Sequence, residues 1–145
     1  MLRFWLFAPF SPLLLAGCAA STALWWLPAG WYRIRPFEPR LYEKLGVRWF
    51  RRIVPNGDWV NAWRRRHDRL YRVVGNARTL AELRERTMVG EKSHLVLLFT
   101  GAFSALYAWT IGWNGWAAYL AVSNVLANLY PVLLQRYTRS RIRRA

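Results

Sequence analysis

Residues 95–134 read LVLLFTGAFSALYAWTIGWNGWAAYLAVSNVLANLYPVLL, without one charged side chain. A helix satisfies its own backbone hydrogen bonds, so an apolar run of about 20 residues is long enough to cross a bilayer. Two such lengths fit here, residues 95–112 and 116–134, separated by Trp113, Asn114 and Gly115. At 1.5 Å per residue each would be roughly 27 to 28 Å long. The stretch therefore predicts a tight transmembrane hairpin.

A third apolar run lies within residues 4–32, which also contain no Asp, Glu, Lys or Arg. The remainder is strongly basic, since 22 Lys and Arg against 7 Asp and Glu give a net charge of +15. An aromatic content of 17% and a single cysteine exclude a disordered tail and a disulfide framework. We predict an all-α integral membrane protein with three transmembrane helices, the last two forming the hairpin, and interfacial amphipathic helices on the cytoplasmic side.

The distribution of basic residues predicts the orientation, because short cytoplasmic loops are enriched in Lys and Arg. Sixteen of them lie between Arg33 and Lys92 and five from Arg136 to Arg144, whereas the turn has none. We expect a multi-pass membrane protein with its N-terminus outside and its C-terminus cytoplasmic. Its predicted parts are a first transmembrane segment (1–32), a basic interfacial loop (33–93), the hairpin (94–135) and a basic tail (136–145).

The basic loop shows apolar residues at helical spacing from Leu41 to Val54, with Lys44, Arg48, Arg51 and Arg52 elsewhere on the helical wheel. After a turn at residues 55–58, apolar and aromatic residues are interleaved with arginines in residues 59–71. Both segments predict helices on a membrane surface, with anionic lipid headgroups as partners. The alternative is a docking surface for an anionic acyl donor. No nucleic-acid-binding motif accompanies the charge, so nucleic acid is not an expected partner.

Cys18 gives the N-terminus a second interpretation. Leu15, Ala16, Gly17 and Cys18 follow an apolar run headed by Arg3, which is typical of a bacterial lipoprotein signal. The apolar run continues beyond Cys18, however, and cleavage would leave the basic loop outside, against the charge rule. A small buried cysteine in a membrane span is the preferred interpretation.

Glu91 and His94 are the first candidate catalytic residues. Thr79 and Glu82 form a capping-box signature for a helix starting near Leu80, and this helix can run unbroken through Glu91 and His94 into the second span. The two side chains would lie on nearly the same helix face. If the turn is centred at 113 to 114, Glu91 lies opposite Arg136 and His94 opposite roughly residues 133–135.

Such a group has a use in acyl transfer. A histidine can take a proton from a hydroxyl and hand it on, and a neighbouring carboxylate can orient the ring and stabilise its cation. Arg136, Gln135 or Asn128 could stabilise an oxyanion. The alternative is structural, with Glu91 paired to an arginine and Asn124 and Asn128 hydrogen-bonding between helices. No metal-binding motif is present and no metal is expected.

Residues 87–94 read TMVGEKSH, and residues 127–131 (ANLYP) lead to residues 135–141 (QRYTRSR). Together with the basic aromatic segment 42–57, these runs resemble the glycosyl-4,4'-diaponeurosporenoate acyltransferases, small bacterial membrane proteins of C30 carotenoid biosynthesis. The family pattern has a T-x-x-x-E-x-x-H run at the start of one span and an A-N-x-P, Q-R-Y-N-R-P-R ending after the next. Tyr130 is an extra residue here, and Thr138 and Ser140 replace the family's Asn and Pro.

The resemblance implies an enzyme of the bacterial inner membrane that esterifies a sugar hydroxyl of a glycosylated carotenoid, or a related glycolipid, with a fatty acyl group. Acyl-CoA or a similar thioester would be the donor, without a bound cofactor. We assign catalysis to His94 and Glu91, and substrate binding to Thr87, Asn128, Gln135, Arg136, Tyr137, Arg139 and Arg141. The alternative is a non-enzymatic accessory subunit of a larger, pigment-binding membrane complex. Membrane protein partners or a homo-oligomer are compatible with either function.

Overall fold

The computed structural model describes residues 11–54, 57–68, 70 and 77–142, and within these ranges it contains helices and no strand. The all-α prediction is therefore confirmed for the part of the chain that is described. The α-helices are α1 (Pro12–Thr22), α2 (Glu38–Lys44), α3 (Val47–Ile53), α4 (Asp58–His67), α5 (Ala77–Thr110), α6 (Asn114–Asn124) and α7 (Tyr130–Ile142). Two 3₁₀ turns follow α1, at Ala23–Trp26 and Ala29–Tyr32, and a π-helical turn at Val125–Leu129 joins α6 to α7.

The chain divides into two compact units. One, here called the apolar unit, is drawn from residues 1–31 and 91–132. The other, here called the basic unit, is drawn from residues 32–90 and 133–145. The apolar unit therefore holds most of the uncharged hairpin, and the basic unit holds nearly all of the charged side chains.

The reversal between α5 and α6 follows from Gly112. Its φ of +78° is a left-handed conformation that glycine adopts without steric cost. The amide of Trp113 bonds to the carbonyl of Ala108 at 2.8 Å, and the amide of Gly112 bonds to that of Trp109 at 3.0 Å. This pair of bonds is a Schellman motif, and Trp113 packs back against Ala108 in the small core around Ala108 and Leu120. The predicted break between the two spans is confirmed.

Among the residues that the structure describes, two helices are long and apolar enough to cross a membrane, Arg78–Thr110 with 33 residues and Asn114–Ile142 with 29 residues. Only 17% and 22% of their most apolar 18-residue windows is buried in the protein. The helices of a soluble core bury their large apolar side chains, whereas Leu97, Leu106, Trp109, Val122 and Leu126 are each more than half exposed.

As predicted, α5 continues unbroken through Glu91 and His94; it begins at Ala77, three residues before the expected start.

The predicted first span is described only in part, because residues 4–10 lie outside the described ranges. The chain is α-helical from Pro12 and tightens to a 3₁₀ turn that ends at Trp26. Pro28 disfavours the α conformation of the residue before it, and Leu27 accordingly has a ψ of 140°. The described apolar helix Pro12–Trp26 is shorter than a full span. A third transmembrane helix stays a prediction.

The π-helical turn has its cause in Pro131. A proline within a helix has no amide hydrogen and clashes with the carbonyl four residues earlier. The helix widens just before it, where the amide of Tyr130 bonds to the carbonyl of Val125, five residues back. Asn128 lies in this wider turn and is buried.

The basic unit differs from the prediction at Gly46. The sequence predicts one surface helix from Leu41 to Val54, but the structure has two, α2 and α3, separated by Gly46 at a φ of +75°. Leu41, Trp49 and Ile53 are nonetheless exposed, as an interfacial face requires. Residues 55–56, Arg69 and Tyr71, which belong to the predicted turn and second interfacial segment, lie outside the described residues.

Candidate active site

His94 is held by a chain of hydrogen bonds that runs through two asparagines of the apolar unit. The Nδ2 amide of Asn124 donates to the backbone carbonyl of Leu98 at 2.8 Å. The Nδ2 amide of Asn128 donates to Oδ1 of Asn124 at 2.7 Å, and Oδ1 of Asn128 lies 3.2 Å from Nδ1 of His94. Because a backbone carbonyl can only accept, this first bond fixes the orientation of both amides in turn.

The same chain fixes the tautomer of the imidazole. Oδ1 of Asn128 accepts a hydrogen bond, so Nδ1 of His94 carries the proton and donates it. Nε2 is then the nitrogen with the lone pair, and among the described residues it has no hydrogen-bond partner. An imidazole held in this way presents Nε2 as the atom that could accept a proton from a substrate hydroxyl.

Gly101 makes room for this arrangement. A Cβ atom built on Gly101 would lie 2.6 Å from Cγ and from Oδ1 of Asn124, closer than such atoms approach in proteins. The Asn124 amide therefore lies directly against the backbone of α5 because residue 101 has no side chain. The sequence shows Gly101 only as one of several small residues on that helix.

Glu91 is one of the most deeply buried side chains, with 1% of its surface exposed. It precedes His94 by three residues on α5, as the sequence predicts. The hydrogen bond at Nδ1 of His94 is made to Asn128. The expected role of Glu91 in orienting the imidazole and in catalysis stays a prediction.

The depth rule placed His94 opposite residues 133–135, and its hydrogen-bond partner instead lies at position 128. A reversal centred on Gly112, before the assumed centre at 113 to 114, moves the position expected to face His94 to about 130, and Asn128 lies about half a helical turn from that position. The predicted meeting of Glu91 with Arg136 joins residues of different units and stays a prediction.

Arg136 is held by two side chains of α2 within the basic unit. Its Nη2 lies 3.0 Å from Oε1 of Glu38 and its Nε lies 3.1 Å from Oε2, so the pair is bidentate. Tyr42 donates to Oε2 of Glu38 at 2.5 Å and accepts from Nε of Arg136 at 3.0 Å. The Glu38 and Arg136 side chains are only 8% and 13% exposed. These contacts give Arg136 a structural role; its predicted role in substrate binding is not tested by them.

The pKa values of Glu38 and Tyr42 follow from this packing. Burial acts to raise the pKa of Glu38, but the hydrogen bonds from Arg136 and Tyr42 and the charge of Arg136 outweigh it and hold the pKa below its ordinary value of 4.5. Burial, helped by the hydrogen bond to Glu38, raises the pKa of Tyr42 to about 12. Glu38 is thus an ionised carboxylate and Tyr42 a neutral phenol at neutral pH.

Three further candidates are buried in the basic unit. Tyr137 is 2% exposed, packs with Tyr42 and Val47, and donates from its hydroxyl to Oε1 of Glu43 at 3.0 Å. Nη1 of Arg139 donates to the backbone carbonyl of Thr87 at 3.0 Å, and both residues are buried. These contacts tie the end of α7 to the start of α5 and to α2, so they have structural value whether or not substrate reaches them.

Gln135 and Arg141 complete the predicted set. The Gln135 side chain lies over Gly90, where a Cβ atom would come within 2.9 Å of its Nε2. Arg141 is exposed near the end of α7. Of the arginines in the family-like ending, it is the one whose side chain is open to solvent.

Sequence reasoning missed Glu38 and Tyr42, which lie 98 and 94 residues from Arg136 along the chain. No local spacing links them, although their separation by four residues on one helix is a signal that they share a face. It also underrated Asn124, whose spacing of four from Asn128 was noted only as a structural contact between helices.

A comparison with protein families finds a match that includes the residues of the candidate site. A family model described as glycosyl-4,4'-diaponeurosporenoate acyltransferase matches residues 28–145, which is more than half of the chain. The match includes α5, α6 and α7 and begins after the described part of α1. Searches of curated proteins and of solved structures give no match. The chain belongs to the glycosyl-4,4'-diaponeurosporenoate acyltransferase family.

Proposed function

We propose that the protein is a membrane acyltransferase that moves a fatty acyl group from a thioester, such as acyl-CoA, to a sugar hydroxyl of a glycosylated carotenoid or related glycolipid. Membership of the family supports the reaction class. Two apolar helices with exposed faces support a membrane location, which suits an acceptor and a product with long apolar chains.

The observation that carries the proposal is the hydrogen-bond chain that leaves Nε2 of His94 as the basic nitrogen. In the proposed reaction, Nε2 removes the proton of the sugar hydroxyl as its oxygen attacks the thioester carbonyl. The carbon–oxygen bond forms, the carbon–sulfur bond breaks, and the proton passes from Nε2 to the departing sulfur. The products are the sugar ester and a free thiol.

The remaining candidates take supporting roles in this proposal. Glu91, buried one helical turn before His94, would stabilise the imidazolium through its charge. Arg141 is our first choice for binding the phosphate groups of the donor, because its side chain is exposed while those of Arg136 and Arg139 make contacts inside the basic unit. Positive charge near the C-terminal end of a helix is also favourable in itself.

Replacing His94 by Ala tests the proposal. We expect acyl-ester formation in membranes supplied with labelled acyl-CoA and a glycosylated carotenoid to fall about 10²- to 10⁴-fold, the usual contribution of a general base. Protein content is measured in the same membranes by immunoblot. Ser123→Ala is the matched control, because the Ser123 hydroxyl bonds only to backbone carbonyls of its own helix in the described structure.

Full turnover by the His94→Ala protein would remove the catalytic assignment. Absence of turnover in the unmodified chain, combined with its recovery in fixed proportion with other membrane proteins, would favour the accessory subunit instead.

A further inference from the structure

The helix α4 exposes its tryptophan side chains to solvent and contacts the rest of the basic unit through a polar residue, the reverse of an amphipathic helix in a soluble protein. Such a helix turns its apolar side to the core and its polar side to water. In α4 the indoles of Trp59 and Trp63 are 65% and 59% exposed, and no residue of the helix is buried. Ala62, which lies about 60° around the helix from Trp59, is exposed as well.

The polar side of α4 holds it to the rest of the basic unit. Arg51 of α3 donates from Nη2 and Nε to Oδ2 of Asp58, at 2.8 and 3.0 Å. Gly57 fixes this attachment, since a Cβ atom there would lie 2.0 Å from the carbonyl oxygen of Arg51. With its first turn held by Asp58 and Gly57, the helix cannot rotate to bury the two indoles without breaking these contacts.

The positive charges near the exposed tryptophans of α4 indicate the kind of partner that this face binds. The last turn of α4 carries Arg64, Arg65, Arg66 and His67, and the side chains of Arg65 and Arg66 are exposed. Tryptophan is the residue that favours the boundary between lipid headgroups and acyl chains, and neighbouring arginines attract anionic headgroups. A protein partner would need an acidic, apolar groove, whereas an anionic bilayer supplies both properties over its whole surface.

We propose that the Trp59–Trp63 side of α4 inserts into the headgroup region of an anionic bilayer, with Arg65 and Arg66 binding lipid phosphates. This inference concerns the basic unit alone and does not depend on the proposed acyl transfer. It specifies which side of α4 contacts the lipid.

The test uses the full chain in vesicles, with Cys18 replaced by Ser and one cysteine introduced for an environment-sensitive fluorophore. The reporting variant is Ala62→Cys, an exposed position of α4 that lies beside Trp59. The matched control is Ala81→Cys, an exposed alanine of α5. Vesicles contain phosphatidylcholine alone or with phosphatidylglycerol, and a lipid carrying a quencher in its headgroup region measures the proximity of the fluorophore to the membrane.

We expect the fluorophore at position 62 to shift to shorter wavelength and to be quenched in vesicles containing phosphatidylglycerol, with the fluorophore at position 81 unaffected. Adding Arg65→Gln or Arg66→Gln should lower the ratio of membrane-bound to free α4 by about fivefold for each arginine. The effect should weaken in high salt.

Three results would overturn the inference. One is equal exposure of the two positions to water. Another is a wavelength shift at position 62 that does not depend on phosphatidylglycerol or on the arginines. The third is a wavelength shift that grows with the number of protein molecules per vesicle, because a second copy of the chain would then cover the face.

Discussion

Asn128 is the residue whose side chain orients the His94 imidazole. Its Oδ1 accepts the Nδ1 proton of His94, so its loss would free the imidazole to adopt the other tautomer. We expect Asn128→Leu to lower kcat about 10²-fold, whereas Asn128→Asp retains more activity because a carboxylate still accepts from Nδ1. The pH dependence of kcat for the two variants checks this. Equal losses would indicate that Asn128 acts through packing alone.

Glu38 gives the basic unit a defined response to acid. Its pKa is lowered by folding, so the stabilisation is complete above the unfolded value of 4.5 and is lost as pH falls through the folded pKa. We expect the melting temperature in detergent to decline in that acid range, and Glu38→Gln to flatten the decline while costing about 3 to 5 kcal/mol at neutral pH, because Arg136 would lose its buried partner. An unchanged acid limb in Glu38→Gln would contradict this.

Tyr42 supplies the control at the alkaline end. Folding raises its pKa to about 12 from an ordinary value of 10.0, so its stabilisation is present below pH 10 and is lost as pH rises toward 12. Tyr42→Phe should remove this alkaline contribution and weaken the acid response of Glu38 without abolishing it, because Arg136 still lowers the pKa of that carboxyl.

At the scale of helices, the contact between α5 and α6 depends on Gly101. We expect Gly101→Ala to displace the Asn124 amide, which a Cβ atom would meet at 2.6 Å, and so to lower acyl transfer without unfolding α5. Gly115→Ala makes the same chemical change where no atom lies within 4 Å, so it should leave activity unchanged. Turnover and helical content by circular dichroism are measured for both. Equal activity of the two variants would show that α5 and α6 tolerate the displacement.

The helices show where sequence patterns suffice and where they fail. The uncharged run and the break at residues 113–115 predict α5, α6 and their reversal, because lipid solubility and backbone hydrogen bonding leave few alternatives. The apolar spacing from Leu41 to Val54 does not reveal that α2 ends at Lys44, since Leu41, Leu45 and Trp49 keep a helical spacing across the left-handed Gly46. The contact between His94 and Asn128 also depends on the residue at which the chain reverses. A pattern of apolar residues locates that reversal too coarsely to predict which residue faces His94 to within one helical turn.

For the whole molecule, the open prediction is its orientation in the membrane. The positive-inside rule places the turn at Gly112 outside and the basic unit inside. In a Cys18→Ser background, we expect Asn114→Cys to react with a membrane-impermeant maleimide in intact cells, and Ala81→Cys to react only after permeabilisation. Both residues are exposed in the structure, so neither is shielded by the protein itself. The reverse labelling pattern would place the basic unit outside the cell.

The hydrogen-bond chain behind His94 also bears on the order of events in catalysis. The amides of Asn128 and Asn124 neither accept nor release a proton at neutral pH, so they orient the ring but cannot carry a proton away from Nδ1. A proton that enters at Nε2 must leave from Nε2. In the proposed reaction a single nitrogen therefore serves the incoming sugar and the departing thiol in succession. Because the sugar oxygen attacks the thioester directly in that reaction, both substrates have to be present together in one ternary complex before either product is released.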